Sequence, residues 1–133
     1  MDDEWWKMND ACLFYLWTID MKDNLIQNKT LEFSIKLAKF YMSLKDKKYY
    51  EIASQVFRSW ASIWANVAEA QWAISKKDFI NKMTIALKES YETLYWLQIL
   101  EHWFNEVNTE IKTDCESIVR ILATIVKSSK IQE

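Results

Sequence analysis

The chain has 133 residues, of which 50% are hydrophobic and 27% charged, enough for one globular domain of ordinary size. It holds eight Trp but no Gly and no Pro, its net charge is −2, and its only histidine is His102. These numbers exclude a His-rich metal site and a Gly-rich phosphate loop, and no apolar run is long enough to span a membrane.

Residues 1–20 are the most acidic part of the chain, with one Lys against five Asp and Glu. They begin with acidic residues where a secretory signal would be basic, so we expect no signal peptide. Two interpretations stay open for this segment. It is an upstream extension with Met21 as the true start, or it forms a short extra helix that packs through Leu13, Leu16 and Trp17.

The first long helix is predicted to begin near Thr30 and to end in the charged turn of residues 45–48. Apolar residues recur there at spacings of three and four, which is typical of one face of a helix. The predicted core stripe is Leu31, Ile35, Ala38 and Met42, widened by Phe33, Leu37, Phe40 and Leu44.

The second helix is predicted from about Tyr50 to Gln71, and the small residues along it allow close neighbours. Its predicted core stripe is Ile52, Val56, Trp60, Ile63, Val67 and Ala70. The third helix has the clearest start, because Ser75 and Asp78 form a near capping box, a hydroxyl N-cap with a carboxylate three residues on. That helix is predicted to run to about His102.

A fourth helix is predicted to begin near Asn108 or Thr109. Its predicted core stripe is Ile111, Cys115, Ile118, Leu122 and Ile125. Four helices with short connections predict an all-α fold, an antiparallel up-down-up-down four-helix bundle over residues 21–127. Residues 1–20 would be an extension to this bundle, and residues 128–133 a frayed polar tail.

Basic residues form two groups that are candidates for contacts with the phosphates of RNA or DNA. They are Lys36, Lys39, Lys45, Lys47 and Lys48 near the first connection, and Arg58, Lys76, Lys77 and Lys82 around the second. These connections lie at opposite ends of an antiparallel bundle, so the groups would merge only across an assembled ring of subunits. The alternative is that they are ordinary solvated helix faces.

Three aromatic residues on the third helix, Tyr91, Tyr95 and Trp96, are candidates for a subunit interface, where aromatic residues are enriched. The alternative is ordinary core. Cys12 and Cys115 are far apart in sequence, which favours reduced thiols in a cytoplasmic protein over a disulfide. No spacing of ligating or catalytic side chains predicts a metal site, a cofactor or an enzyme.

Three segments, RSxxSIxANVAEAQ from residue 58, SKKDFI from residue 75 and IALKESxETxYWL from residue 85, resemble one bacterial family. It is the four-helix-bundle family first noticed in intervening sequences of 23S ribosomal RNA genes. The motif residues are Arg58, Ser62, Asn66, Glu69, Ser75, Asp78 and Phe79. The resemblance spans about residues 22–127.

The resemblance implies an antiparallel four-helix bundle that assembles as a homopentamer and has no known enzymatic activity. One relative, the accessory protein of diversity-generating retroelements, binds nucleic acid and a reverse transcriptase through a basic surface. The near-neutral charge of this chain departs from that relative. Two functions therefore stay open: an oligomeric bundle that binds RNA or DNA, and a structural or protein-interaction module with no nucleic-acid role.

Members of this family typically carry Gly where this chain has Trp60, Trp64 and Trp72, and often at Trp103. At average usage, a chain of this length would hold roughly nine Gly. We hypothesise that these Trp are Gly in the native protein, from a gene that reads UGA as Gly. If the Trp are present, we expect strained left-handed backbone at Trp72 and Trp103, just past helix ends. The mass of the native protein distinguishes the two cases.

Overall fold

The computed structural model describes residues 10–106 and 108–131, with side chains from Leu25 onward. The described chain consists of four helices: α1 (Asp10–Asp46), α2 (Tyr50–Ala70), α3 (Lys76–Trp103) and α4 (Thr109–Ile131). Each helix packs against its neighbours in sequence, and α4 closes the bundle against α1. The predicted all-α four-helix bundle is confirmed, and no strand occurs in the described ranges.

Helix α1 is longer than the sequence suggested, since it begins at Asp10 and not near Thr30. Thr30 lies inside the helix, where its hydroxyl donates to the Ile26 carbonyl at 2.8 Å and so needs no capping role. The helix is continuous through Met21, so residues 10–20 are not a separate element. Residues 1–9, and the side chains of Leu13, Leu16 and Trp17, lie outside the described part.

Only the widened part of the predicted α1 stripe faces the core: Phe33, Leu37 and Leu44 are buried, and Phe40 packs against the core. Leu31, Ile35 and Met42 are 53%, 57% and 54% exposed, and Ala38 is exposed as well. Ile26 and Thr30, which were not predicted, are also buried on the core side of α1. The prediction was wrong for Leu31, Ile35, Ala38 and Met42, because α1 is apolar on two opposite sides and helical spacing alone does not tell which side meets the neighbouring helices.

The other predicted core stripes agree better with the structure. On α2, Val56, Ile63, Val67 and Ala70 are buried, while Ile52 and Trp60 are partly buried and pack against the core. All five stripe residues of α4 are buried. Helix α4 continues past residue 127 to Ile131, with Ser129 buried and its hydroxyl donating to the Ile125 carbonyl at 2.7 Å. The polar end of the chain is therefore helical at least to Ile131.

Two predicted helix starts are confirmed in atomic detail. The Ser75 hydroxyl accepts a hydrogen bond from the Asp78 backbone N–H at 3.0 Å, and the Asp78 carboxylate accepts one from the Ile74 N–H at 3.3 Å. The Ser75 bond is that of a capping box, while the Asp78 carboxylate accepts from the residue before the N-cap and not from Ser75 itself. At the start of α4, the Asn108 side-chain oxygen accepts from the Ile111 N–H at 3.1 Å.

Left-handed backbone occurs at Lys48 and Asn105, and not at Trp72 or Trp103. The expectation of strain at those two Trp was wrong. The chain leaves α2 through successive short-range turns, in which the Trp72 N–H donates to the Glu69 carbonyl and the Ala73 N–H to the Ala70 carbonyl. Such turns keep φ negative.

Lys48 ends α1 in a Schellman motif, with its N–H donating to the Lys45 carbonyl at 2.9 Å and the Tyr49 N–H to the Leu44 carbonyl at 3.0 Å. Its φ of 67° is costly for a residue with a Cβ atom. We expect Lys48→Gly to raise the free energy of unfolding by about 0.5–1 kcal/mol in a urea titration.

Asn105→Gly is the matched control, because φ is 53° there but asparagine tolerates this conformation. Its gain in stability should be smaller than that of Lys48→Gly. An equal or larger gain at Asn105, or a loss at Lys48, would show that the α1–α2 turn is not strained.

Candidate interaction surfaces

The motif residues of α2 form one polar seam against α3. Arg58, Ser62, Asn66 and Glu69 recur at spacings of four and three, which places them on one side of the helix. Arg58 makes an ion pair with Glu92 of α3, and the Glu69 carboxylate lies 2.9 Å from the Lys82 ammonium.

Within the seam, the Asn66 amide donates to the carbonyl and hydroxyl of Ser62, at 2.8 and 3.3 Å. Beneath it, the buried Thr93 hydroxyl donates to the Ser59 hydroxyl at 2.9 Å. The Ser59 and Thr93 hydroxyls also contact the Val56 and Glu89 carbonyls of their own helices, so the bond between them links α2 to α3 in addition to these local bonds. The motif residues of α2 therefore serve the packing of the bundle, and all four already have partners within the chain.

Glu89 is the least satisfied acid of the seam. One of its carboxylate oxygens, Oε2, is buried and accepts no hydrogen bond, although the Arg58 guanidinium lies 3.8 Å away. Burial raises the pKa of Glu89, and the neighbouring Glu92 charge raises it further. Arg58 acts in the opposite direction but does not cancel these effects.

A raised pKa means that the folded state holds this proton at pH values where the unfolded chain has lost it. The free energy of unfolding should therefore fall as pH rises above the ordinary glutamate value of 4.5. We expect Glu89→Gln to remove this fall, as measured by urea titrations between pH 4 and pH 7. Glu32→Gln, at an exposed position, should keep the slope of the wild type. An unchanged slope in Glu89→Gln would contradict the assignment.

Some of the basic residues predicted to contact nucleic acid make ion pairs within the described part of the chain, and others do not. Lys36 contacts Glu110 and Asp114 at 2.7 and 2.9 Å, and these hydrogen bonds raise its pKa. Lys47 contacts Glu106 at 2.7 Å, and Arg58 and Lys82 pair within the polar seam.

Within the described residues, Lys39, Lys45, Lys48 and Lys77 make no ion pair. The Lys45 ammonium lies 5.4 Å from the centre of the Tyr41 ring. Lys45, Lys47 and Lys48 lie at the α1–α2 connection, and Lys76 and Lys77 at the α2–α3 connection, at opposite ends of the bundle. The remaining candidates lie along the helices: Lys36, Lys39, Arg58 and Lys82.

The three aromatic candidates lie on the outside of α3. Tyr91 and Tyr95 are exposed, whereas Trp96 is partly buried, with its indole N–H donating to the Glu92 carboxylate at 3.2 Å. Trp96 also lines an open groove of about 920 Å³ beside the start of α2, together with Tyr49, Tyr50 and Phe104.

Sequence reasoning missed an exposed apolar surface on α1 and α2. The α1 outer face consists of Leu31, Ile35, Ala38 and Met42, all exposed. The α2 outer face carries the exposed aromatic residues Tyr50, Phe57 and Trp64. The Tyr41 and Phe57 rings, 5.1 Å apart, connect the two helices between these faces. The signal was present in the sequence, since α1 is apolar on more than one side.

Two kinds of site do not occur in the described part of the chain. No cluster of three or more His, Cys, Asp and Glu side chains is arranged to hold a metal ion there. None of the described helices is both long and apolar enough to cross a membrane. The Cys115 thiol is buried and free, and burial raises its pKa to about 12.

The family described as 23S rRNA-intervening sequence protein matches residues 22–124, a range that contains the polar seam and most of the bundle. The chain belongs to this family. A solved structure of a protein of unknown function from the S23 ribosomal protein family of Bacteroides thetaiotaomicron is similar over 80% of this chain and 98% of its own, at 38% identity. Its TM-score is 0.74.

No curated protein matches the chain. The resemblance found in the motif segments is thus confirmed at the level of family and fold. Membership in the 23S rRNA-intervening sequence family establishes the family and the fold of the chain, but it assigns the chain no biochemical role.

Proposed function

We propose that this member of the family is a non-enzymatic, cytoplasmic module whose main activity is to assemble with copies of itself. The observation that carries the proposal is the α1 outer face, which lies opposite the buried side of the same helix. A helix that is apolar on both sides is normally covered on both sides. Exposed apolar patches of this kind mark interaction surfaces. The resemblance implies a homopentamer as the assembled form.

The composition of the two outer faces favours a second copy over a charged partner. The α1 outer face holds only aliphatic side chains and Met42, and the α2 outer face presents aromatic rings. Charged residues are depleted and aromatic residues and methionine enriched in the cores of protein interfaces. By contrast, α4 presents polar residues to solvent, such as Thr113, Arg120 and Thr124, so the association would use one side of the bundle.

Hydroxyl-radical labelling of Met42 tests whether this face is covered. In an isolated bundle Met42 is more than half exposed, so it should be oxidised quickly. At high protein concentration we expect it to be protected, with the protection lost on dilution. The buried Met83 is the internal control, because it should stay protected at every concentration. Equal labelling of Met42 at all concentrations would contradict the proposal.

A second candidate function is the binding of RNA or DNA, and Lys39, Lys45, Lys48 and Lys77, the candidate lysines that make no ion pair in the described residues, favour it. Lys39, Lys45 and Lys48 lie near one end of the bundle, where an assembly would repeat them. The ion pairs of Lys36, Lys47, Arg58 and Lys82 leave fewer charges for phosphates than the sequence suggested. A reverse transcriptase partner would follow from the resemblance alone.

Retention on heparin at about 50 mM salt, lost steeply as salt rises, would support phosphate binding. Triple replacement of Lys39, Lys45 and Lys48 by glutamine should then reduce the retention. A variant with Lys88, Lys127 and Lys130 replaced by glutamine removes the same charge elsewhere on the surface and is the matched control. No retention of the wild type would leave self-association as the function.

A further inference from the structure

An aromatic groove lies where α2 begins and α3 ends. Its volume is about 920 Å³, and four aromatic side chains line it: Tyr49, Tyr50, Trp96 and Phe104. Tyr50 and Phe104 are 57% and 37% exposed, whereas Tyr49 and Trp96 are partly buried. A concave surface of this size, with aromatic walls and a few polar groups, has the character of a ligand site.

The rings of the aromatic groove are held in place within the chain itself. The Trp96 indole N–H donates to the Glu92 carboxylate at 3.2 Å, and Glu92 in turn pairs with Arg58. The Phe104 ring packs edge-on against the Tyr49 ring, with 5.0 Å between the centroids. Rings that are already fixed lose little conformational freedom on binding. They are therefore suited to stacking against a flat aromatic partner.

Positive charge lies beside the aromatic groove. Lys48 lines it, and its backbone N–H contacts the carbonyl of Lys45 in the same turn. Neither lysine makes an ion pair within the described residues. The N-terminus of α2 adds partial positive charge, and the N-cap residue Tyr49 gives it no side-chain cap. Glu51 is the one acid among the residues that line the groove, so an anionic partner is favoured.

The aromatic groove is on the α3 side of α2. Gln55, which lines it, accepts a hydrogen bond at 3.3 Å from Arg58 of the polar seam. Phe57 of the α2 outer face instead contacts Tyr41 of α1. Among the residues that line the groove, only Tyr50 also belongs to the α2 outer face. Self-association through the outer faces of α1 and α2 therefore leaves most of the groove open.

We propose that the aromatic groove binds single-stranded RNA, with bases stacked on Trp96 and Phe104. The neighbouring phosphates then lie near Lys45 and Lys48. This inference rests on the second candidate function, the binding of RNA or DNA, and specifies the site and the form of the nucleic acid. Aromatic side chains in a positively charged groove are the usual means by which proteins bind single strands.

The same chemistry selects against other nucleic acids. In a duplex each base face is covered by the next base pair, so the rings of the groove have nothing to stack on. Ser54 and Gln55 are exposed polar side chains that line the groove. They offer hydrogen bonds to the 2′-hydroxyl of RNA, which DNA lacks.

Fluorescence anisotropy with a short labelled oligouridine tests the proposal on the wild-type protein. The single strand should bind, and its affinity should fall as salt rises. The same strand annealed to its complement should bind at least about fivefold more weakly, because its bases are not free to stack. Oligodeoxyuridine of the same length should also bind more weakly.

Two variants separate stacking from charge. Trp96→Leu and Phe104→Leu should each lower the affinity about 5- to 100-fold, because one stacking surface is lost. The salt dependence should not change, since stacking releases no counterions. Lys45→Gln combined with Lys48→Gln should instead reduce both the affinity and the salt dependence. Tyr91→Leu is the matched control, because Tyr91 is an exposed aromatic residue of α3 that does not line the groove.

The outcomes distinguish the groove from nucleic-acid binding in general. Phe104 follows the last residue of α3 and is 37% exposed, so Phe104→Leu keeps the test valid even if Trp96→Leu does not fold. Equal binding of the duplex or of oligodeoxyuridine, or an affinity of Phe104→Leu equal to that of Tyr91→Leu, overturns the inference but leaves nucleic-acid binding elsewhere standing. A wild type that binds none of these strands at about 50 mM salt overturns both.

Discussion

Replacement of Phe33 by alanine is expected to destabilise the bundle by about 3–5 kcal/mol. Phe33 is 1% exposed and belongs to the core, together with Phe79 and Leu37. Loss of its ring would remove a large buried apolar area and leave a cavity that the surrounding helices fill only in part. A urea titration followed by circular dichroism measures the effect.

Ile35→Ala is the matched control, because it truncates an apolar side chain on the exposed side of the same helix. Both residues lie on α1, but Ile35 is 57% exposed in the isolated bundle, so its truncation should change the stability of the monomer by less than about 0.5 kcal/mol. The titrations should be made at dilutions where assembly does not contribute. If Ile35→Ala cost as much as Phe33→Ala, the core side of α1 would be assigned incorrectly.

The double variant Ile35→Glu and Met42→Glu is expected to abolish self-association while the bundle stays folded. Both positions lie on the α1 outer face, where the wild type has no charged side chain. Assembly would bury four new carboxylates per pair of subunits without partners, which costs far more than the contact supplies. Light scattering should give the mass of one chain, 16.0 kDa, at concentrations where the wild type is assembled.

Thr113→Glu with Thr124→Glu is the matched control for this variant. It adds the same charge at exposed positions of α4, on a polar surface. The control should assemble as the wild type does. Dissociation of the control as well would point to net charge, and assembly of the α1 variant would show that the contact lies elsewhere.

Those parts of the fold with strong local signals could be predicted from the sequence. The capping box at Ser75 and Asp78 marked the start of α3 because both side chains act on backbone groups within one turn. The core stripe of α4 was predictable because that helix has one apolar side and one polar side. The core stripe of α2 was largely predicted as well, although α2 also carries exposed aromatic residues on its outer face.

The register and the orientation of α1 could not be predicted in this way. Its two apolar sides have equivalent spacing, and only contacts with α2 and α4 distinguish the side of Phe33 from the side of Ile35. The continuation of α1 back to Asp10 has no capping signal of the kind found at Ser75. Helix ends that depend on packing are not encoded locally.

The candidate site was predicted only as a set of residue types. The sequence located the lysines and Arg58, but ion pairs such as Lys36 with Asp114 join residues far apart in the chain. Local patterns carry no information on such pairs. The ion pair between Arg58 and Glu92 could not be predicted for the same reason. Because of this pair, the motif residue Arg58 contributes to the packing of α2 against α3 and is not a free charge.

The central claim is that this bundle assembles with itself through the outer faces of α1 and α2. The most direct test is the mass of the wild-type protein in solution, measured by light scattering over a dilution series. We predict a multiple of 16.0 kDa at high concentration, falling towards 16.0 kDa on dilution. A mass of 16.0 kDa throughout, up to the solubility limit, would contradict the claim.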